Sequence, residues 1–209
     1  NYIGVVGSGT MGNGIAHVFA QSNYKVLLVD LNQSILDNAM KTISSNLKRQ
    51  VKKELITQSQ MNHSIDNITT STNMKSLRNA FIVIEAASED EIIKTNIFKN
   101  LDTICEPQTI LATNTSSISI TKIANATSRK DKVIGMHFMN PVPIMKLIEV
   151  IKGKDTSEQT LETILKISKK LNKIALECND SPGFVSNRIL MPMINEAVYC
   201  FDEGVASIE

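Results

Sequence analysis

Short apolar runs alternate with longer stretches of helical periodicity along most of the chain. The apolar runs lie at residues 3–6, 25–29, 81–84, 109–112, 132–136, 146–151 and 173–176. Continuous apolar runs of this kind are typical of parallel strands covered on both faces. Between them, apolar residues recur at intervals of three and four, which indicates amphipathic helices. The alternation predicts an α/β fold with a doubly wound, mostly parallel sheet.

The same periodicity predicts where the helices lie. We expect them at residues 10–22, 33–55, 92–104, 118–126 and 157–171. The polar tract from Gln58 to Asp66 is expected to be a loop, followed by a short strand at residues 68–70. A final apolar stripe from Val185 to Phe201 predicts one more helix, and this stripe is too wide for a surface helix with nothing to pack on.

A glycine motif joins the first strand to the first helix. Gly7, Gly9 and Gly12 form the pattern G-x-G-x-x-G, which allows a tight turn, close approach of a pyrophosphate and close helix packing. Asp30 ends the second apolar run, at the place where an acid takes the ribose hydroxyls. No Lys or Arg follows at 31 or 32, so the pattern favours NAD over NADP. The alternative is that Asp30 only caps the helix that starts near Gln33.

Composition narrows the classes of function. The 209 residues have a formal net charge of +1, which argues against a nucleic-acid partner or a membrane-surface partner. No run of 18 apolar residues is present, and no targeting segment is expected because the chain opens on a strand. The three cysteines stand far apart and in no metal spacing, so we expect reduced thiols, no metal site and a cytosol-like compartment.

Polar clusters follow the predicted strands, where this fold class binds its ligands. His137 ends one strand and is a candidate acid–base group, although a lone histidine is more often structural. Glu149 lies in an apolar strand and therefore needs a partner, for which His137 is suited. Asn114 and Ser116 are candidate hydrogen-bond donors at the cofactor edge, or alternatively turn and cap residues.

Several stretches together are similar to the 3-hydroxyacyl-CoA dehydrogenase family, and most of all to its bacterial 3-hydroxybutyryl-CoA branch. The matching stretches are residues 7–15, 84–90, 112–117, 135–150 and 181–188, and the last two are highly specific. The resemblance implies NAD-dependent, reversible oxidation of an (S)-3-hydroxyacyl-CoA to the 3-oxoacyl-CoA, in fatty-acid β-oxidation or butyrate metabolism.

The resemblance also implies roles for individual residues. His137 would be the general base, Glu149 would orient it, and Ser116 and Asn187 would bind the reacting oxygen and the acyl group. The implied NAD contacts are Gly7, Gly9, Thr10, Met11, Gly12, Asp30, Glu89, Lys94 and Asn114. The implied CoA contacts are Asn46, Lys53 and Ser116, with Lys48, Arg49 and Lys52 near the CoA phosphates.

The resemblance further implies two domains. Residues 1–180 would form the Rossmann-type NAD-binding domain, and residues 181–209 would begin an all-α C-terminal domain that closes the active site and forms a homodimer. We therefore expect the chain to stop within that second domain. The bacterial branch implies a cytoplasmic location, and related eukaryotic enzymes imply the mitochondrial matrix.

Two other functions stay open at this point. The chain could be a non-catalytic dinucleotide-binding protein, as some lens crystallins similar to this family are, but the intact catalytic set argues against this. It could also be a piece of a multifunctional fatty-acid oxidation protein, and the start at Tyr2 with no preceding domain argues against that reading.

Overall fold

A computed structural model describes residues 2–207 and contains one eight-stranded sheet. The strands are β1 (Ile3–Val6), β2 (Val26–Val29), β3 (Ile68–Ser71), β4 (Ile82–Glu85), β5 (Ile110–Thr113), β6 (Val133–Phe138), β7 (Leu147–Lys152) and β8 (Ile174–Asn179). Their order in the sheet is β3-β2-β1-β4-β5-β6-β7-β8. All neighbouring pairs are parallel except β6 and β7, so the predicted doubly wound, mostly parallel sheet is confirmed.

Helices cover both faces of this sheet. They are α1 (Thr10–Gln21), α2 (Gln33–Lys52), α3 (Gln58–Asp66), α4 (Glu91–Ile104), α5 (Ile120–Ala124), α6 (Glu158–Lys170) and α7 (Ser186–Asp202). One apolar core contains side chains of α1, α2, α3 and α6, and a second contains side chains of α4 and α5. Successive strand residues such as Val5 and Val6 point into opposite cores, because side chains alternate along a strand. No described helix combines the length and apolarity that crossing a membrane requires.

The structure corrects the prediction for residues 58–66, which form a helix rather than a loop. Thr57 caps this helix by accepting the backbone N–H of Gln60, and the Gln60 side chain accepts the N–H of Thr57 in return. This reciprocal capping box stabilises a helix start and was visible in the sequence as T-x-x-Q. The helix has only two buried residues, Met61 and Ser64, so its apolar periodicity was weak.

Several boundaries differ from the prediction by one to three residues, and two of these differences concern predicted site residues. Helix α2 ends at Lys52 because Glu54 takes a left-handed conformation, with φ of 59°. Strand β6 extends through His137 to Phe138, so His137 lies inside the strand and not beyond its end.

The C-terminal end of α4 is closed by Arg129. Its guanidinium donates to the Asp102 carboxylate at 2.7 Å and to the backbone carbonyls of Asp102, Cys105 and Glu106. These carbonyls have no partner within the helix, so a cation that donates to them stabilises the helix end. Asp102 also accepts the Ser128 N–H at 2.7 Å, which makes it a structural carboxylate.

A buried histidine lies on the other side of the sheet. His17 of α1 is 1% exposed, its Nε2 stands 3.4 Å from Gln50 Nε2, and its Nδ1 has no hydrogen-bond partner among the described residues. Burial, partly opposed by the Gln21 hydrogen bond and reinforced by the nearby Lys173 charge, lowers the pKa of His17 to about 4. The folded protein therefore holds His17 neutral at pH 7.

We expect this histidine to make the protein less stable in acid. Because the unfolded pKa of 6.5 lies above the folded value, the contribution is complete above pH 6.5 and is lost as the pH falls toward about 4. The full loss is on the order of 3 kcal/mol in the free energy of unfolding. Urea unfolding between pH 7 and pH 4 measures it. His17→Gln should flatten this part of the profile, and an unchanged slope in that variant would contradict the assignment.

Candidate active site

The turn after β1 is built to bring backbone close to a ligand. Gly7 has φ of +91°, and a Cβ there would stand 2.7 Å from the carbonyl oxygen of Ala86. A Cβ on Gly12 would stand 1.8 Å from the carbonyl oxygen of Gly7. A Cβ on Gly9, in contrast, would meet no atom within 4 Å. The outer glycines are thus required by packing, whereas Gly9 leaves open space at the N-terminus of α1, where backbone N–H groups bind phosphates.

Asp30 lies at the end of β2 beside this turn and is held by Ser8. Its Oδ2 accepts the Ser8 backbone N–H at 2.6 Å and the Ser8 hydroxyl at 2.7 Å, and its Oδ1 accepts the Leu31 N–H at 2.7 Å. Helix α2 is capped by Asn32, whose side chain accepts the Ile35 N–H. Asp30 is therefore not the cap of α2 and is oriented by the glycine turn.

A cavity of about 880 Å³ opens between these elements. Its lining includes Gly7, Gly9, Thr10, Met11 and Asp30, which are predicted cofactor-binding residues. Five apolar side chains also line it, those of Leu31, Ile35, Met74, Ile93 and Ile97. A helix start with free N–H groups, an acid beside it and apolar side chains in the same cavity fit the phosphates, ribose and base of a dinucleotide.

Lys94 is buried, and its ammonium group is paired with carboxylates of the protein. It is 1% exposed, and its Nζ donates to the two carboxylate oxygens of Glu85 at 2.8 and 3.0 Å. Nζ also lies 3.4 Å from Glu89 Oε2. The predicted contact between Lys94 and NAD stays a prediction, because in this structure the ammonium faces these two carboxylates.

Glu89 holds the loop that carries Ser116. Its Oε1 accepts the Thr115 hydroxyl at 2.5 Å, the Ser116 N–H at 2.8 Å and the Ser117 N–H at 3.1 Å. The Ser116 hydroxyl lies 3.2 Å from the same oxygen. Burial would raise the pKa of Glu89, but the hydrogen bonds from Thr115 and Ser116 and the charge of Lys94 lower it, so Glu89 stays ionised.

His137 and Glu149 face each other across the antiparallel strands β6 and β7. They are register partners on β6 and β7, and His137 Nδ1 lies 2.8 Å from Glu149 Oε2. Glu149 is fully buried and His137 is 7% exposed. A carboxylate at Nδ1 favours the tautomer with a proton on that nitrogen. The lone pair of Nε2 is then available to take a proton from a ligand.

The other oxygen of Glu149 holds the start of α7. Oε1 accepts the backbone N–H groups of Val185 at 3.0 Å and Ser186 at 2.7 Å. Burial would raise the pKa of Glu149, but the hydrogen bonds from Ser186 and His137 lower it. Sequence reasoning missed this contact, since backbone donors leave no signal in the residue pattern.

Two amides complete the arrangement. The Asn114 side-chain oxygen accepts the N–H of Phe138, next to His137, at 2.9 Å. Asn187 of α7 donates from Nδ2 to the Ser116 carbonyl at 3.2 Å. Through these contacts the structure links the four predicted catalytic residues into one cluster formed by β6, β7, α7 and the loop after β5. Within residues 2–207 there is no group of three or more His, Cys, Asp or Glu placed to hold a metal.

The predicted CoA-contact residues lie near the end of α2. Lys53 follows the last residue of the helix and is exposed, and Asn46 is half-buried one and a half to two turns earlier. Lys48, Arg49 and Lys52 are also exposed. In the described part of the chain, none of these four cations forms an ion pair with a carboxylate.

Comparison with known proteins identifies the family to which this arrangement is similar. The family model described as "3-hydroxyacyl-CoA dehydrogenase, NAD binding domain" matches residues 2–181, and the one described as "3-hydroxyacyl-CoA dehydrogenase, C-terminal domain" matches residues 183–209. A probable 3-hydroxybutyryl-CoA dehydrogenase of Bacillus subtilis is 48% identical over 205 residues, which are 98% of this chain and 71% of the relative. The human mitochondrial hydroxyacyl-coenzyme A dehydrogenase is 41% identical, over 100% of this chain and 68% of the relative.

Solved structures agree with the sequence relatives. The (S)-3-hydroxybutyryl-CoA dehydrogenase of Ralstonia eutropha superposes with a TM-score of 0.97 at 46% identity, covering 99% of this chain and 73% of that one. The match includes the glycine turn, the sheet and the first helix after it. With the NAD-binding fold matched over nearly its whole length, this chain belongs to the 3-hydroxyacyl-CoA dehydrogenase family.

Proposed function

We propose that this protein catalyses the NAD-dependent, reversible oxidation of an (S)-3-hydroxyacyl-CoA, with 3-hydroxybutyryl-CoA or a similar acyl chain as substrate. The main support is the buried Glu149–His137 pair, at 2.8 Å, on the sheet that also forms the dinucleotide cavity. The names of the relatives in Bacillus subtilis and Ralstonia eutropha point to the same substrate class.

The residues then divide the chemistry between them. His137 Nε2 takes the proton of the 3-hydroxyl group, and the Glu149 anion stabilises the imidazolium that forms. NAD, when bound, would accept the hydride from C3, the carbon that carries this hydroxyl group. The Ser116 hydroxyl and the Asn187 amide hold the reacting oxygen and the acyl group, so that the hydroxyl faces His137. In the reverse direction the imidazolium returns the proton.

The cofactor would lie along the glycine turn. Gly7, Gly9, Thr10, Met11 and Gly12 would surround the pyrophosphate and Asp30 the ribose hydroxyls, with Asn114, Glu89 and Lys94 toward the nicotinamide end. On the substrate side, Lys53 and Asn46 would contact CoA. The unpaired cations Lys48, Arg49 and Lys52 would attract its phosphates.

We also propose the domain division, assembly and location that the family implies. Residues 1–180 would be the NAD-binding domain and residues 181–209 the beginning of the helical domain. The full-length protein would be a homodimer in the cytoplasm. The exposed apolar side chains of α7, such as Ile189, Met193 and Phe201, support further packing on this helix. Sedimentation of the chain, alone and continued with the remaining C-terminal residues of the Bacillus subtilis relative, tests the assembly.

Replacing His137 tests the catalytic proposal. His137→Gln keeps a polar side chain but removes the base, so kcat should fall by about 10²–10⁴-fold while NADH affinity is kept. The assay is NADH oxidation at 340 nm with acetoacetyl-CoA, on this chain and on the chain continued with the relative's C-terminal residues.

The matched control is His63→Gln, because His63 is an exposed histidine on α3 outside the cluster. This variant should keep the wild-type rate. Near-normal turnover by His137→Gln would refute the role of His137. Failure of both wild-type forms to turn over, while both bind NADH, would favour the non-catalytic binding protein instead.

Replacing Asp30 tests the cofactor choice without any need for turnover. Asp30→Asn removes the anion that accepts ribose hydroxyls and repels a 2′-phosphate. NADH should bind about ten- to a hundredfold more weakly, since one charge-assisted hydrogen bond is worth roughly 1.5–3 kcal/mol. NADPH binding should weaken less or improve. Fluorescence titrations measure the affinities for NADH and NADPH. The control is Asp37→Asn, because Asp37 is an exposed acid on α2. An unchanged NADH-to-NADPH ratio would be inconsistent with this role.

A further inference from the structure

The segment that joins β8 to α7 is anchored to the site at several points. Phe184 is 3% exposed, packs in the core beside α4 and α5, and its ring centroid lies 6.0 Å from that of His137. Gly183 and Phe184 are both left-handed, with φ of 75° and 48°. This turn directs the following N–H groups of Val185 and Ser186 toward Glu149.

Asp180 anchors the beginning of the same segment. Its Oδ2 accepts the Ser119 hydroxyl at 2.7 Å and the Thr121 N–H at 2.8 Å, and its Oδ1 accepts the Ile120 N–H at 3.0 Å. These donors form the N-terminus of α5, which follows directly on the loop that carries Ser116. None of the roles assigned above uses this carboxylate.

Two sets of contacts therefore hold this part of the chain against the Ser116 loop, one before the joining segment turns and one just after it, in α7. Asp180 bonds to residues 119–121, and Asn187, seven residues later, bonds to the Ser116 carbonyl. Two segments joined at two points can shift against each other much less than segments joined at one. Glu149 restrains the middle through Val185 and Ser186.

We propose that Asp180 is a positioning residue: by holding the N-terminus of α5, it fixes the Ser116 loop relative to Asn187. This inference rests on the proposed function, in which Ser116 and Asn187 hold the substrate. Asp180 does not itself touch the substrate, so it acts through these two residues. Burial would raise the pKa of Asp180, but the Ser119, Ile120 and Thr121 hydrogen bonds lower it, so the carboxylate remains charged at neutral pH.

Asp180→Asn is the test variant. The carboxamide keeps the size of the side chain but has one accepting oxygen. Because Ile120 and Thr121 donate to different carboxylate oxygens, one of these two N–H groups would face the NH2 group and lose its acceptor. Asp102→Asn is the matched control, because Asp102 is another structural carboxylate that accepts a backbone N–H and has no contact with the joining segment. Thermal unfolding of both variants identifies any general loss of stability.

The first measurement needs no turnover. Amide hydrogen exchange by NMR on the 209-residue chain should become at least tenfold faster at Val185 and Ser186 in Asp180→Asn, since releasing one end of the segment lets it open locally. Asp102→Asn should leave these two amides unchanged. Faster exchange confined to Ile120 and Thr121 would show that Asp180 is only a helix cap and would overturn the proposal.

The second measurement is a double-mutant cycle in whichever form of the protein turns over. Asp180→Asn should lower kcat tenfold or more, with NADH affinity unchanged. In an Asn187→Ala background the same change should cost less than threefold, because the residue through which Asp180 acts is gone. Independent, multiplying effects would overturn the proposal. Absence of turnover in the wild type would count against the proposed function alone, because the exchange experiment still decides the role of Asp180.

Discussion

One buried charge organises the candidate catalytic cluster of this molecule. Glu149 is fully excluded from solvent, and a carboxylate in that position is tolerated only when its oxygens are hydrogen-bonded. One oxygen meets the His137 ring, and the other meets two backbone N–H groups at the start of α7. The hydrogen bonds of this one anion thus join β6, β7 and the first helix after the sheet. They also orient the imidazole ring.

The proposed cofactor site depends on a different constraint, which is the close approach of backbone segments. The glycines at positions 7 and 12 leave no room for a Cβ, while Gly9 faces open space. Ser8 lies between them and donates hydrogen bonds to Asp30 from both its backbone N–H and its hydroxyl. A turn that is tightly packed on one side and open on the other suits the proposed dinucleotide site, in which N–H groups would meet the phosphates and Asp30 the ribose.

Carboxylates also connect the two ends. Glu89 accepts donors from three successive residues of the loop after β5, and its second oxygen lies near Lys94, which is paired with Glu85. The prediction of Glu89 and Lys94 as cofactor contacts came from the family resemblance. The structure adds that Glu89 holds the Ser116 loop and that Lys94 is paired with Glu85 beside it. The resemblance and the geometry are compatible for Glu89, which is partly exposed, and less so for buried Lys94.

The sequence by itself determined the strand and helix order, the glycine turn with its acid, and the identity of the candidate base and its partner. These features are local: they depend on side-chain periodicity, on the absence of a Cβ or on the chemistry of one residue. It missed α3, where few apolar positions repeat and the only clear signal was a capping box. The tertiary structure alone decided that β7 runs against β6, which places Glu149 directly opposite His137. It also decided which backbone N–H groups reach Glu149 and Asp180. Such contacts join residues far apart along the chain through backbone N–H groups, which every residue except proline has. No pattern of side chains can therefore predict them.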